Sequence, residues 1–295
     1  MPQATPHWAS LAARPSPQLT LSVPSVLAAH MAAWDVFRND LMKDKTVLIT
    51  GGGTGMGEAM THAFSALGAR VLIASRNAEH LQPVAEAATK ASGNEVLWKT
   101  CDVRDVEQVQ ALADYASDNF DGALDVLVNN AAGNFLTPFD AMSHNAWNTV
   151  VGIVLGGTHN MLKATFPLLS KRGGAVTNMV ATYAWGAAPL VSHSGAAKAG
   201  VLNLTKSLAV EWASHRIRLN AVAPGPVDTH GAGSRLFAED DTKQTIIDSV
   251  PWKRFGTVDE MAAAVVYLSS PAADYVTGEC LTIDGGQVLT NGLFA

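Results

Sequence analysis

The sequence predicts an α/β architecture, a doubly wound, seven-stranded parallel sheet with helices on both faces. Three observations predict it. From Lys45 onward, short β-rich runs alternate with segments of helical period, the signature of βαβ units. A glycine-rich turn, Thr50 to Gly57, lies directly between the first such run and the first helical segment. Hydrophobic residues make up 48% of the 295-residue chain and charged residues 16%. A globular chain of that length buries roughly 75% of the surface its unfolded form exposes, so no disulfide or metal is needed to hold the core.

The candidate strands are Thr46–Thr50, Ala69–Ser75, Glu95–Cys101, Leu124–Asn129, Ala175–Val180, Arg216–Ala221 and Cys280–Ile283. Between the first two, Ala59, Met60, Ala63, Phe64 and Leu67 fall on one helical face, and Gly68 follows as a stop. Val106, Val109, Leu112, Ala113 and Ala116 repeat that pattern ahead of the fourth strand. Right-handed crossovers then put helices on both faces and ligands at the carboxyl ends of the strands. Residues 35–295 are expected to form one domain. Residues 1–34 read as an extension, disordered or packed on a partner: they contain no Asp or Glu, one arginine (Arg14) and five prolines. The prolines oppose the amphipathic, Arg-rich helix of a transit peptide.

The net charge of −6 and pI near 5.8 give no overall basic footprint for nucleic acid. No apolar run approaches the roughly 18 residues that span a bilayer, so no membrane association is expected. Cys101 and Cys280 sit far apart in apolar runs with no metal-ligand spacing, and they read as small core residues of a protein in the reducing cytoplasm. The C-terminal Asn291–Ala295 carries no peroxisomal or reticulum address.

The turn Thr50-Gly51-Gly52-Gly53-Thr54-Gly55-Met56-Gly57 carries the first chemistry. Glycines let backbone N–H groups approach a pyrophosphate, which then meets the positive end of the following helix. Gly51, Thr54, Gly55 and Met56 are therefore candidate dinucleotide contacts. Nineteen positions after Gly57, where an acidic residue would hold an NAD ribose, stands Arg76, preceded by Ser75. A guanidinium forks onto a 2′-phosphate, so the sequence favours NADPH/NADP+ over the unphosphorylated cofactor; the alternative is a solvated strand-end arginine. Asp102-Val103 after the third strand and Asn130-Ala131 after the fourth fit the same crevice. Asp102 can accept from the adenine amine and Asn130 can tie strand ends together, although Asp and Asn also favour loop caps.

Taken in order, Thr50 to Gly57, Asp102-Val103, Asn129 to Gly133, Lys198, Pro224-Gly225 and Asp284-Gly285-Gly286 resemble the short-chain dehydrogenase/reductase family, over roughly Lys45 to Gly286. The resemblance adds Pro224, Gly225 and Lys198 to the cofactor contacts. Ordinary members use an Asn, a Ser, a Tyr and a Lys, with the Tyr four positions before the Lys. Here only Lys198 remains: Ser194 stands at the tyrosine position, Ala181 at the serine position and Val154 at the helix asparagine. An aliphatic hydroxyl is too weak an acid to replace a phenol in carbonyl redox. A different tyrosine, Tyr183, precedes Lys198 by fifteen positions. That shift, the run Asn129-Asn130-Ala131-Ala132-Gly133-Asn134-Phe135 and the lead-in Phe37 to Leu41 look like the 2,4-dienoyl-CoA reductase branch.

The resemblance implies an NADPH-dependent reductase of 2,4-dienoyl-CoA or trans-2-enoyl-CoA, assembled as a homotetramer through helices near Trp147 and Trp212. Reducing such a thioester requires a hydride delivered to carbon and donors aimed at the thioester oxygen as enolate charge grows there. Tyr183 and Asn134 can supply the donors, Lys198 can grip the nicotinamide ribose, and Ser194 lies one turn away on the same helix face. Each has a plainer alternative: a half-buried aromatic, a loop-closing amide, a solvated lysine, a supporting hydroxyl. The segment that follows Pro224-Gly225-Pro226-Val227, rich in Gly, Asp and Lys up to Trp252-Lys253-Arg254, reads as a lid over substrate. In it Arg235, Lys243, Lys253 and Arg254 are candidates for the phosphates of coenzyme A. Competing readings are a reductase of ketones or other activated alkenes, and an NADP(H)-binding protein without turnover.

Overall fold

Seven parallel strands form one sheet in the order β3-β2-β1-β4-β5-β6-β7. They are β1 (Thr46–Thr50), β2 (Arg70–Ser75), β3 (Val96–Thr100), β4 (Val126–Asn129), β5 (Gly174–Met179), β6 (Ile217–Pro224) and β7 (Cys280–Ile283). The computed structural model describes residues 33–229 and 240–290, which belong to the compact unit Ala32–Ala295. All but the last two residues of the expected extension lie outside the described residues.

The helices are α1 (Gly55–Ala66), α2 (Ala78–Ser92), α3 (Val106–Asn119), α4 (His144–Val151), α5 (Gly157–Leu169), α6 (Ser192–Glu211), α7 (Asp240–Ser249) and α8 (Val258–Ser269), with a π-helical turn at Gly152–Gly156 joining α4 to α5. Period-2 alternation sends successive strand residues to opposite faces. Val47, Ile49, Val71 and Ile73 pack with Met60 and Phe64 of α1 and Val265 of α8. Leu48, Leu72 and Leu127 pack on the other face with Leu112 of α3 and Leu162 of α5. Ahead of β1, Phe37 and Leu41 rest on the first of these clusters.

Strands β1 and β7 match the sequence reading, β2 to β5 differ from it by one or two residues at an end, and two differences are larger. Strand β6 runs to Pro224, three residues past the expected end, because a proline at the last strand position interrupts no ladder in progress and Gly225 N–H still donates to Ile283 O (2.9 Å). Val106, expected on the buried face of α3, is 65% exposed. It is the first helical residue after the Asp105 cap, and the buried face begins at Val109.

The strand order reverses between β1 and β4, which opens a crevice beyond their carboxyl ends. The opposite end is tied down by Asp125, whose buried carboxylate accepts from Thr46 N–H and Oγ1 (3.0 Å each) and from Arg172 (3.0 Å).

Candidate active site

At the crevice lies a cavity of about 1460 Å³, larger than the roughly 300–1,000 Å³ of ordinary small-ligand pockets. Its walls include Gly51, Thr54, Gly55 and Met56 at one end and Asn134, Tyr183, Ser194 and Lys198 at the other.

The glycine turn follows β1 and opens α1. Gly51 has φ +68° and Gly55 φ +54°, conformations that disfavour a side chain. A Cβ on Gly57 would sit 1.9 Å from Gly51 O, so only glycine lets the helix start this close to the turn. Asp105 caps α3 and Thr257 caps α8, whereas the Thr54 side chain makes no cap hydrogen bond at α1. The first amides of α1 are thus left to an anion at the positive end of the helix. These features fit a dinucleotide pyrophosphate.

Asn130 ties strand ends together, as one of its two readings anticipated: its Nδ2 donates to Thr50 O (3.1 Å) and Gly51 O (3.2 Å). Thr50 Oγ1 accepts from the N–H of Asn130 and Ala131. Beyond β2, Ser75 and the exposed Arg76 line the cavity, and Arg76 has no ion-pair partner among the described residues. Asp102 and Val103 line it beyond β3. The Asp102 carboxylate lies well below its ordinary pKa, chiefly through a hydrogen bond from Arg104. Pro224 and Gly225 do not line the cavity; Asp228 and Thr229, further along the same connection, do.

At the other end, Tyr183 follows β5 on a short 3-10 turn and its hydroxyl lies 3.2 Å from Ser194 Oγ in the first turn of α6. Burial raises the Tyr183 phenol above its ordinary pKa, with Ser194 pulling the other way, so it stays protonated as a donor. Lys198, one turn on, is buried, and its ammonium donates to Met179 O. Burial pushes its pKa down to about 8. Asn134 lines the cavity, and its Oδ1 accepts from Phe135 N–H (3.0 Å). The loop-closing contact is thus present in the fold. Val154 and Ala181, at the ordinary asparagine and serine positions, are buried and apolar.

The lid cations fare differently. Arg235 lies outside the described residues. Lys253 donates to Asp248 O (2.7 Å). Arg254 forks onto Glu260 and stacks over Trp252, so its guanidinium is already engaged, whereas the Lys253 ammonium has further N–H donors. Lys243 is exposed on α7.

Sequence reasoning missed His193. It is fully buried, both ring nitrogens are without a hydrogen-bond partner among the described residues, and its ring packs on Phe135 with centroids 4.6 Å apart. Only its place beside Ser194 hinted at it.

A nucleotide turn at a sheet switch point, joined in one cavity to a buried lysine and a phenol, defines a dinucleotide-dependent oxidoreductase. A family model described as "Enoyl-(Acyl carrier protein) reductase" matches residues 51–287. The chain is 43% identical over 251 residues to "Probable 2,4-dienoyl-CoA reductase [(2E)-enoyl-CoA-producing]" of Bacillus subtilis (strain 168), covering 84% of this chain and 98% of that protein. It is 39% identical over 256 residues to "Peroxisomal 2,4-dienoyl-CoA reductase [(3E)-enoyl-CoA-producing]" of Pongo abelii, covering 86% of this chain and 87% of that one. A solved short chain dehydrogenase from Bacillus anthracis superposes with a TM-score of 0.76 at 42% identity, covering 85% of this chain and 99% of that chain. This chain belongs to the short-chain dehydrogenase/reductase family, and it is an oxidoreductase of that family. Among the described residues no helix is long and apolar enough to cross a membrane.

Proposed function

We propose that this chain is an NADPH-dependent reductase of unsaturated acyl-CoA thioesters, 2,4-dienoyl-CoA or trans-2-enoyl-CoA. One observation carries the reading: Tyr183, Ser194, Lys198 and Asn134 line the same cavity as the glycine turn, while Ser194 fills the place of the ordinary catalytic tyrosine. The names of the relatives from Bacillus subtilis and Pongo abelii support the same substrate class.

NADPH, when bound, supplies the hydride. Arg76 and Ser75 hold the 2′-phosphate, the α1 amides hold the pyrophosphate, and Lys198 holds the nicotinamide ribose. As charge develops on the thioester oxygen, the Tyr183 hydroxyl and the Asn134 amide donate to it; such preorganised donors are worth about 10²–10³-fold in rate each. Ser194 donates to the Tyr183 oxygen and so turns the phenolic O–H toward the substrate. The Lys198 ammonium adds positive potential, and water protonates the carbon that carries the remaining charge. The reading also takes the assembly to be a homotetramer, the compartment to be the cytoplasm, and residues 1–34 to be an extension separate from the catalytic domain at 35–295.

The test is oxidation of NADPH by the purified chain with 2,4-hexadienoyl-CoA and a series of trans-2-enoyl-CoA esters, beside a panel of ketones. Turnover of the thioesters alone is expected. Turnover of the ketones alone, or no oxidation across several acyl lengths, would overturn it.

A further inference from the structure

Asp102 is held more tightly than adenine recognition alone requires. Its backbone N–H donates to Gln108 Oε1 (3.0 Å) and its carbonyl accepts from Asp105 N–H (3.0 Å). On the carboxylate, Oδ1 accepts from Arg104 N–H and Nε–H (3.0 Å each), while Oδ2 accepts from Nη2 (2.5 Å), with Nε a longer 3.1 Å away. A carboxylate offers about four lone-pair sites. Three are filled, all by one residue, and the fourth, on Oδ2, is left over on a side chain that lines the cavity.

Arg104 passes beside the π turn. Its Cγ and Cδ run past Gly152, the first residue of the π turn, where a Cβ would meet them at 3.9 and 3.7 Å. Its side chain is 40% exposed and Arg104 does not line the cavity, so it acts on a nucleotide there through Asp102. An exposed pair of this kind contributes little to stability, and α3 already has its own cap in Asp105. Folding therefore leaves the fork unexplained.

We propose that Arg104 is a positioning residue that fixes the Asp102 carboxylate so that its one remaining lone pair accepts the exocyclic amine of adenine, making the pair a reader of the base. The inference rests on the nucleotide reading above and extends it from the phosphate to the base. Arg76 selects the cofactor by its 2′-phosphate; Arg104, by orienting Asp102, selects adenine over a base with a carbonyl at that position. A hypoxanthine base presents an oxygen there, which faces the carboxylate with no proton to share. A swinging carboxylate avoids that clash, whereas a fixed one does not.

The experiment is a titration of the full chain with NADPH and with its deamino analogue, in which hypoxanthine replaces adenine, read by nucleotide fluorescence. The parent is expected to prefer NADPH by about tenfold, the size of one hydrogen bond to a charged acceptor. Arg104→Ala is expected to weaken NADPH by about that factor, leave the analogue within about twofold, and so remove the preference. Arg104→Lys, which keeps the charge but loses the fork, falls between. A variant that weakens both nucleotides equally, or keeps the parent's preference, would overturn the proposal, because a merely structural arginine gives one of those two results. Failure of the parent to bind either nucleotide would sink the nucleotide reading itself, and the base reader with it.

Discussion

Lys198 sits in a place that works against stability, and replacing it by methionine measures how much. In the unfolded chain its pKa is the ordinary 10.5; burial brings the folded value to about 8. A difference of about 2.5 units corresponds to about 3 kcal/mol lost by holding the ammonium in the folded state at neutral pH. The hydrogen bond to Met179 O returns about 1 kcal/mol, so Lys198→Met is expected to be about 2 kcal/mol more stable than the parent at pH 7, without nucleotide. Because the folded pKa lies below the unfolded one, the penalty is full below about pH 8. It shrinks as pH rises toward 10.5, and the gain of the variant shrinks with it. Urea unfolding of both chains across that range, followed by tryptophan fluorescence, reads the difference directly. In the proposed reading the same variant loses turnover, because Lys198 would no longer be there to hold the nicotinamide ribose. A variant no more stable at pH 7, or one whose advantage does not change with pH, would refute the reasoning.

Other outcomes follow from named contacts. Arg76→Ala should weaken NADPH by tenfold or more and leave NADH nearly unchanged, because it removes a charge-assisted contact made only to the 2′-phosphate; equal loss for both cofactors in a binding titration contradicts this. Tyr183→Phe should lower kcat for a dienoyl thioester by about 10²–10³-fold while the Kd for NADPH holds, since the proposed mechanism assigns the phenol to the substrate and not to the nucleotide. His193→Leu should raise stability at pH 7 by about 1–2 kcal/mol by removing two buried, unpaired nitrogens. Burial also depresses the His193 pKa below its ordinary 6.5. The unfolded chain then binds the extra proton first, so the parent loses stability as pH falls below that value, and the variant should lose less in thermal unfolding near pH 5.

The middle of the sheet was legible because strands such as β1 and β4 are apolar runs closed by a turn signal, and a parallel strand buried on both faces is the plainest pattern a sequence carries. The nucleotide turn was legible because its glycines fall between one such run and a helical period. Less could be read where the meaning lies in partners distant along the chain. The fork of Arg104 on Asp102 is two residues long in sequence, yet its proposed purpose depends on a cavity at the carboxyl ends of six strands. His193 looks like any polar residue at a helix start until Phe135 is folded onto it. Asp228 and Thr229 reach the cavity in place of Pro224 and Gly225 because β6 runs on past Ala221, which shifts the turn outward. The π turn at Gly152–Gly156 has no periodic signature that separates it from the helices on either side.

The central claim is that the hydride goes to an unsaturated carbon while the thioester remains intact. Incubating the chain with 2,4-hexadienoyl-CoA and NADPH deuterated at its transferable position, then weighing the acyl product, tests it most directly. One deuterium bound to a carbon of the acyl chain, still joined to coenzyme A, is the predicted result. Consumption of NADPH with no label in the acyl chain, or label at the carbon of a reduced carbonyl, would contradict the account.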